Sequence, residues 1–432
     1  MGDNTSFRAS LLSIPPVVWS VYLVEMAFAA ASTLTGAILP NLISEFNLDF
    51  GQAGVVSAIQ SLTSLPVMFV TGFLSDRVGA VRVLLIGLIL LTACPVLMAI
   101  APSYAFLILG TGALGVALGF IDPMTNAVLV ERGGPRKGEI LGLLHASYGL
   151  GAAIFPMVIA FALARGMSWR LSLAIITLFA ASSTVLFHLH RDREANRHRN
   201  QVHQEPAPPR GAKVPEASPG SPAVATHHRQ KPGALWRSPR IWTIIPAMFF
   251  YSGAYRNVVV WTVVYFKEIL GTTQVVGSLA LFALFMLIVV GRLISAKMSD
   301  SIDNLLLLTI YMVGAALGLL PVPWVNSPVS GFLAIAAFGL ASAGIFPVIT
   351  SYATGLFPGR SGTVTGLIYG SAAGGAIVLP WILGKIADSL GLRSGMLINA
   401  ITMAMAGLLL LVLFIYQMIV RHNRTLQAVQ ID

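Results

Sequence analysis

Charge and cysteine are both scarce in this sequence. Of 432 residues only 10% are charged, against about 25% in a soluble globular chain. So little charge cannot keep the surface of an ordinary soluble domain wetted, and that class is excluded. The single cysteine, Cys94, rules out an intramolecular disulfide and any site built on paired thiolates. It lies inside an apolar run and reads as a small buried hydrophobe. A glycine loop ending in Lys-Ser/Thr is missing, so nothing is suited to cradle nucleotide phosphates. The eight histidines fall singly or in the middle of the chain, and no acid–base or metal cluster stands out. The expectation is a protein that is not an enzyme and needs no cofactor or metal.

What the sequence has instead is apolar length: it is 56% hydrophobic with a mean hydropathy of +0.80. Runs such as Val81–Ile100 and Met396–Val420 are long and do not alternate. A bilayer core about 30 Å thick favours such runs, and inside it only helices or closed barrels satisfy the backbone. Without the short alternating segments of a barrel, the fold is expected to be all-α and membrane-integral. Twelve runs can be placed, near 16–42, 51–73, 81–101, 104–130, 139–164 and 169–190, then 240–266, 273–297, 304–324, 328–353, 361–386 and 395–420. The first is too long for the core of a cleavable leader. Between the sets, residues 191–238 are rich in proline, arginine and histidine, which suggests a disordered basic linker held near anionic lipid. The expected domains are therefore a six-helix bundle over 1–190, the linker, and a second bundle over 239–432.

A net charge of +10 raises nucleic acid as a partner, but its placement argues against that. Basic residues fill the N-terminus, the linker, the C-terminus and alternate loops. The intervening loops hold only Arg165, Arg170, Lys267, Lys385 and Arg393. By the positive-inside rule both termini and the linker lie in the cytoplasm. A compact multi-pass monomer in a bacterial plasma (inner) membrane is the expected setting.

The two sets of runs are related by a repeat. A shift of 224 residues lays Ser75-Asp76 on Ser299-Asp300, Phe120-Ile121-Asp122-Pro123 on Gly344-Ile345-Phe346-Pro347, and Gly151 through Pro156 on Gly375 through Pro380. One register serving three landmarks marks a duplicated six-helix unit. Parallel repeats of this kind place a substrate site at their interface near the bilayer midplane.

After the second run comes Gly72-Phe-Leu-Ser-Asp76-Arg77-Val-Gly79-Ala-Val-Arg82. Gly72 permits close helix approach, and Asp76 can accept hydrogen bonds from a neighbouring helix N-terminus or an arginine. The segment resembles the G-x-L-x-D-R-x-G-R-[KR] signature of the major facilitator superfamily, departing from it at Ala80. That resemblance implies two six-helix bundles that rock about a central site, with Gly72, Asp76, Arg77 and the repeat-mate Asp300 in gating contacts. Within the superfamily, Gly119-Phe-Ile-Asp122-Pro-Met-Thr-Asn126 and Leu144-His145-Ala-Ser-Tyr148-Gly149 are similar to motifs of the sugar:proton symporters related to fucose permease. Tyr251-Ser-Gly253 with Trp261, and Phe357 through Gly366, are also similar to that branch. Two of its acids are replaced, by Gly36 and by Tyr255, and Arg256 is an addition.

Three ionisable residues stand deep in apolar runs: Glu25, Asp122 and Arg256. Such placement costs about 2.5–3.5 kcal/mol on insertion scales, so these residues usually face a cavity and act. Glu25 and Asp122 both stand roughly 13 Å from the cytoplasmic end of their helices, and Asp122 is the leading proton carrier. Pro123 leaves the Gly119 carbonyl without its helical donor, a polar notch beside Asp122. Asn126, one turn on, shares its face and could bind a hydroxyl or carbonyl. Arg256 either recognises an anion or balances Asp122 or Glu25, the counter-ion role being preferred. Tyr251 and Trp261 can stack on a ring or simply pack; Tyr148 and His145 complete the expected substrate-binding set. His145 can instead serve a helix-packing hydrogen bond.

The expected function is secondary active transport of a small polar, sugar-like solute by proton symport. Proton-coupled export of drugs or metabolites is the alternative, together with organic-anion transport through Arg256. Export is disfavoured because Thr111 occupies the helix-four position where drug antiporters of the superfamily carry an arginine. A non-transporting sensor of the same fold would bind ligand without flux.

Overall fold

The computed structural model describes residues 15–132, 137–204, 235–299, 301–357 and 360–429. Its first half holds α1 (Pro16–Phe46), α2 (Phe50–Val78), α3 (Ala80–Ala99), α4 (Tyr104–Arg132), α5 (Lys137–Ala164) and α6 (Trp169–Gln204). The second holds α7 (Pro239–Glu268), α8 (Gln274–Met298), α9 (Asn304–Leu319), α10 (Pro328–Ser342), α11 (Ile345–Leu356), α12 (Ser361–Leu390) and α13 (Leu392–Val429). No strand occurs among the described residues. Eleven spans are long and apolar enough to cross a membrane, with α10 and α11 forming one of them. The twelfth is α7, which falls short in hydropathy because it carries Ser252, Arg256 and Asn257 within its length. It is nevertheless among the most deeply buried helices, so polarity here reflects position at the centre.

Local chemistry sets the helix ends. Pro16, Pro239 and Pro328 open helices where a missing N–H is harmless. Asp49 caps α2 in a reciprocal box with Gln52, and Asp303 caps α9. The tight reversal between α2 and α3 runs through Gly79 at φ 90°, a conformation that suits glycine. The chain stays helical to Gln204, well past the expected start of the irregular linker at Arg191. Residues 205–234 lie outside the described set, as do Asp300 and the expected gating contact at that position.

The duplication reappears in the packing. In the first half α1 packs on α5 and α6, α2 on α4, and α3 on α4 and α6; in the second α7 packs on α12 and α13, α8 on α10, and α9 on α10 and α13. Gly151 lets α5 approach α1 so closely that a Cβ there would lie 2.5 Å from the Met26 carbonyl oxygen. Its repeat-mate Gly375 does the same on α12, with 2.0 Å to the Phe249 oxygen of α7. Pro123 and Pro347 occupy the same register with different results. The α4 helix runs through Pro123, whereas the tenth span breaks at Gly344, three residues before Pro347.

The halves meet along α2–α12, α5–α8 and α1–α7. The molecule has a terminal end, where α1 begins and the linker attaches, and a far end. At the far end α2 and α12 are in backbone contact: a Cβ on Gly54 would lie 2.5 Å from the Pro380 oxygen, and one on Gly384 2.2 Å from that of Phe50. At the terminal end the same seam is open. Nothing lies within 4 Å of a Cβ on Gly72 of α2 or on Gly362, Gly366 and Gly370 of α12. The structure is thus closed at one end and open at the other.

Candidate functional site

Between the halves lies a cavity of about 140 Å³ lined by Phe28, Ser32, Gln60, Ser61, Ser64, Leu118, Asp122 and Arg256. Four helices contribute. From α2 come Gln60, Ser61 and Ser64, and with Ser57 they form a polar stripe at spacings of three and four on one face. Asp122 enters from α4, Phe28 and Ser32 from α1, and Arg256 from α7.

Arg256 is held entirely by neutral partners of the opposite half. Its Nε donates to Ser57 Oγ at 3.0 Å, Nη1 to the Ser32 carbonyl at 3.0 Å, and Nη2 to Gln60 Oε1 at 2.5 Å. It forms no ion pair among the described residues, so the preferred counter-ion role is not seen in this state. Three donors are committed, and a guanidinium has five. A desolvated cation therefore faces the cavity with donors to spare.

Of the two carboxylates only Asp122 lines the cavity. Asp122 is half-buried, and its side chain makes no hydrogen bond among the described residues. Glu25 is 2% exposed, its Oε2 has no partner, and the groups facing it are Asp122 and the Thr125 hydroxyl. The two acids adjoin each other, but Glu25 is not among the residues that line the cavity. The notch beside Pro123 is only lightly covered: the single hydroxyl proton of Thr71 of α2 goes chiefly to the Val67 carbonyl of its own helix at 2.7 Å, and the Gly119 carbonyl stands 3.3 Å away as a weak second acceptor. Asn126 donates to the Asp122 carbonyl at 2.9 Å on its own helix and does not line the cavity.

The remaining expected residues are spread out. Tyr148 reaches the rim, its hydroxyl 3.3 Å from Ser32 Oγ and its ring 5.8 Å from Phe28. His145 lies one turn nearer the terminal end, where its carbonyl accepts from Arg292 of α8 at 3.4 Å. Tyr251 packs on α10 and donates to the Ser342 carbonyl at 3.3 Å. Trp261 is fully buried at the far end, 6.0 Å from the Phe50 ring, and closes that end. Neither lines the cavity. Asp76 and Arg77 are exposed at the open terminal end, and Gly72 makes no close helix contact in this state. Ser57, Gln60, Ser61 and Ser64 were not anticipated; their spacing on α2 is the signal that marks them. Among the described residues no group of three metal-ligating side chains occurs.

The profile described as Major Facilitator Superfamily matches residues 21–338. The chain belongs to the Major Facilitator Superfamily. It is a multi-pass membrane transporter of that superfamily and not an enzyme. Among similar proteins, the fosmidomycin resistance protein of Escherichia coli is 25% identical over 82% of this chain and 81% of its own length. The cyanate transport protein of the same organism is 23% identical, covering 82% of this chain and 85% of its own. Among solved structures, a D-xylose-proton symporter superposes with a TM-score of 0.71 at 13% identity, over 91% of this chain and 96% of the other. That likeness is one of fold.

Proposed function

We propose that this transporter moves a small organic anion by alternating access, with Arg256 as the anion anchor and Asp122, backed by Glu25, as the proton carrier. The observation that carries the reading is Arg256, a half-buried guanidinium that faces a cavity and has no carboxylate partner among the described residues. Leaving a cation so placed without an anion costs more than supplying one from the cargo. An arginine fork also matches a carboxylate or phosphonate oxygen pair. Ser61 and Ser64 bear hydroxyls for a second polar group. The cavity volume matches that of an engineered 150 Å³ cavity that holds benzene, so about six non-hydrogen atoms fit in it. Similarity to a cyanate transport protein supports an anion as cargo. The basic terminal-end loops support a cytoplasmic placement of both termini in the plasma membrane, which makes this an inward-open state. Gly72, Asp76 and Arg77 then gate the cytoplasmic end, disengaged while it is open.

Sugar symport, implied by the motifs of helices four and five, is the second reading. It is favoured by the unpartnered Asp122 carboxylate and the serine hydroxyls, which suit a polyol, but it leaves Arg256 without a role. The decisive experiment is uptake into proteoliposomes of labelled small hydroxy acids, keto acids and pentoses under an inward proton gradient. Accumulation of acids but not pentoses, lost in Arg256→Gln, is expected. Pentose uptake that survives Arg256→Gln would overturn the anion reading in favour of the sugar. Gradient-driven uptake unchanged in Asp122→Asn would remove the proton role, and efflux of preloaded acid would reverse the direction.

A further inference from the structure

Asp388, near the far end of α12, reaches across the boundary between the halves. Its Oδ1 accepts from the Phe50 N–H at 2.6 Å and its Oδ2 from the Gly51 N–H at 2.9 Å. These are the first two residues of α2. The next donor, Gln52 N–H, goes to the helix's own cap Asp49 at 2.5 Å, and the Ala53 N–H to the Asp49 carbonyl at 3.0 Å. A helix leaves its first N–H groups without internal partners. The first turn of α2 is completed only by combining its own cap with a carboxylate borrowed from the other half. The negative charge also sits on the positive end of the helix dipole. Lys385, one turn earlier on α12, stands 3.9 Å from Asp388 Oδ2.

The same parts exist, disengaged, at the terminal end. Ser361, the first residue of α12, follows Arg360, which provides no side-chain cap. Asp76, near the end of α2, makes no hydrogen bond or ion pair among the described residues. The helices are antiparallel, and each carboxylate lies at the same distance from the start of its own helix to within one residue. Extending the far-end register along the pair brings Asp76 opposite the first turn of α12. It also brings Gly72 toward Gly362 and Gly366, three positions with open space in this state. Gly54 and Gly72 are about five whole turns apart, so the α2 face that is closed at one end is the face left open at the other.

We infer that Asp388 is a positioning residue of the transport cycle, a latch across the α2–α12 seam that holds the far end shut and releases it when the terminal end closes. The claim for Asp388 stands on its own two bonds. Its alternation with Asp76 rests on the gating reading above. Among the described residues, the far end of the α5–α8 seam shows no such device: Thr273 gives α8 no side-chain cap, and the Gln274 side-chain amide donates to Ala37 and Asn41 of α1.

The test uses the full chain in nanodiscs with Cys94 replaced by Ser. Paired spin labels are placed at Ser44 and Ser389 for the far end, and at Phe73 and Thr363 for the terminal end. Asp388→Asn is expected to raise the far-end-open population about fivefold, the ratio one side-chain cap carries, and to shorten the terminal-end distance. Asp76→Asn should shift both populations the other way, and the double variant should return toward the parent. A merely structural Asp388 would lower the melting temperature without moving either distribution, and that result overturns the proposal. A shift in Asp388→Asn with none in Asp76→Asn keeps the latch and removes the gating reading alone. Should Asp388→Asn fail to fold, Asp388→Ser retains one cap oxygen and is expected to give a smaller shift of the same sign; no shift there also overturns it.

Discussion

The two long seams between the halves are related by the internal repeat yet differ in how far they are closed. Along α5–α8, contact continues past the cavity: a Cβ on Gly149 would lie 2.3 Å from Val289 Cγ2, and Arg292 still reaches the His145 carbonyl. Only beyond this, at Gly142 and Gly138, is there open space. Along α2–α12 the tight contacts cluster at the far end, around Gly51, Gly54, Pro380 and Gly384, and openness begins by Gly370. The side that opens is also the side with the inter-half carboxylate latch. A pseudo-symmetric frame can thus move asymmetrically, with one seam acting as a hinge and the other as a door.

Bulk at the closed end of the door should have the largest effect. Gly54→Leu drives atoms into the Pro380 backbone, which cannot yield as a side-chain tip can. Transport should fall below detection and the far-end labels should move apart, an overpacking penalty of about 1–3 kcal/mol or more. Gly72→Leu is the counterpart: it should fold normally in this open state but block terminal-end closure, so ligand binds from the terminal-end side without net flux. On the hinge seam, Gly149→Ala meets only the tip of Val289, so a several-fold loss of rate is expected, with recovery in Gly149→Ala/Val289→Ala. Arg292→Gln removes one long hydrogen bond across the hinge and should change the rate by about threefold at most. Smallest is Thr71→Val, inside one half. It removes a hydroxyl whose proton goes chiefly to Val67 and only weakly to Gly119, at a cost of about 1 kcal/mol or less, read as lower thermal stability with the label distances unchanged.

Much of the fold was legible because a bilayer imposes a harsh rule: long apolar runs must be helices, and a repeat in sequence becomes a repeat in packing, as Gly151 and Gly375 illustrate. The deep charges were legible for the same reason, since Glu25, Asp122 and Arg256 are expensive where they stand. What escaped was cheap. Ser57, Gln60, Ser61 and Ser64 are neutral and cost little in a helix, so only their periodicity marks the face that holds Arg256. Asp388 reads in sequence as a solvated charge near a loop, because the α2 terminus that it caps belongs to the other half. Tyr251 and Trp261 carry the opposite lesson. Aromatic rings on a central helix attract a ligand interpretation, but here they fill space against α10 and Phe50. The α6 helix runs past Arg191 because polar composition there does not forbid a helix extending beyond the apolar region.

The proline shared by the two repeats shows how the copies have divided their labour. At Pro123 the helix is kept whole, with Thr71 of a neighbour only a weak contact to the freed carbonyl, and an acid stands immediately before the proline. At Pro347 the span is severed at Gly344, and the preceding residue is Phe346. The second copy lacks the acid, and its tenth span is two short rods joined at a bend. Keeping the charge in one copy and the articulated joint in the other separates chemistry from mechanics within a single chain, so either can change without undoing the other.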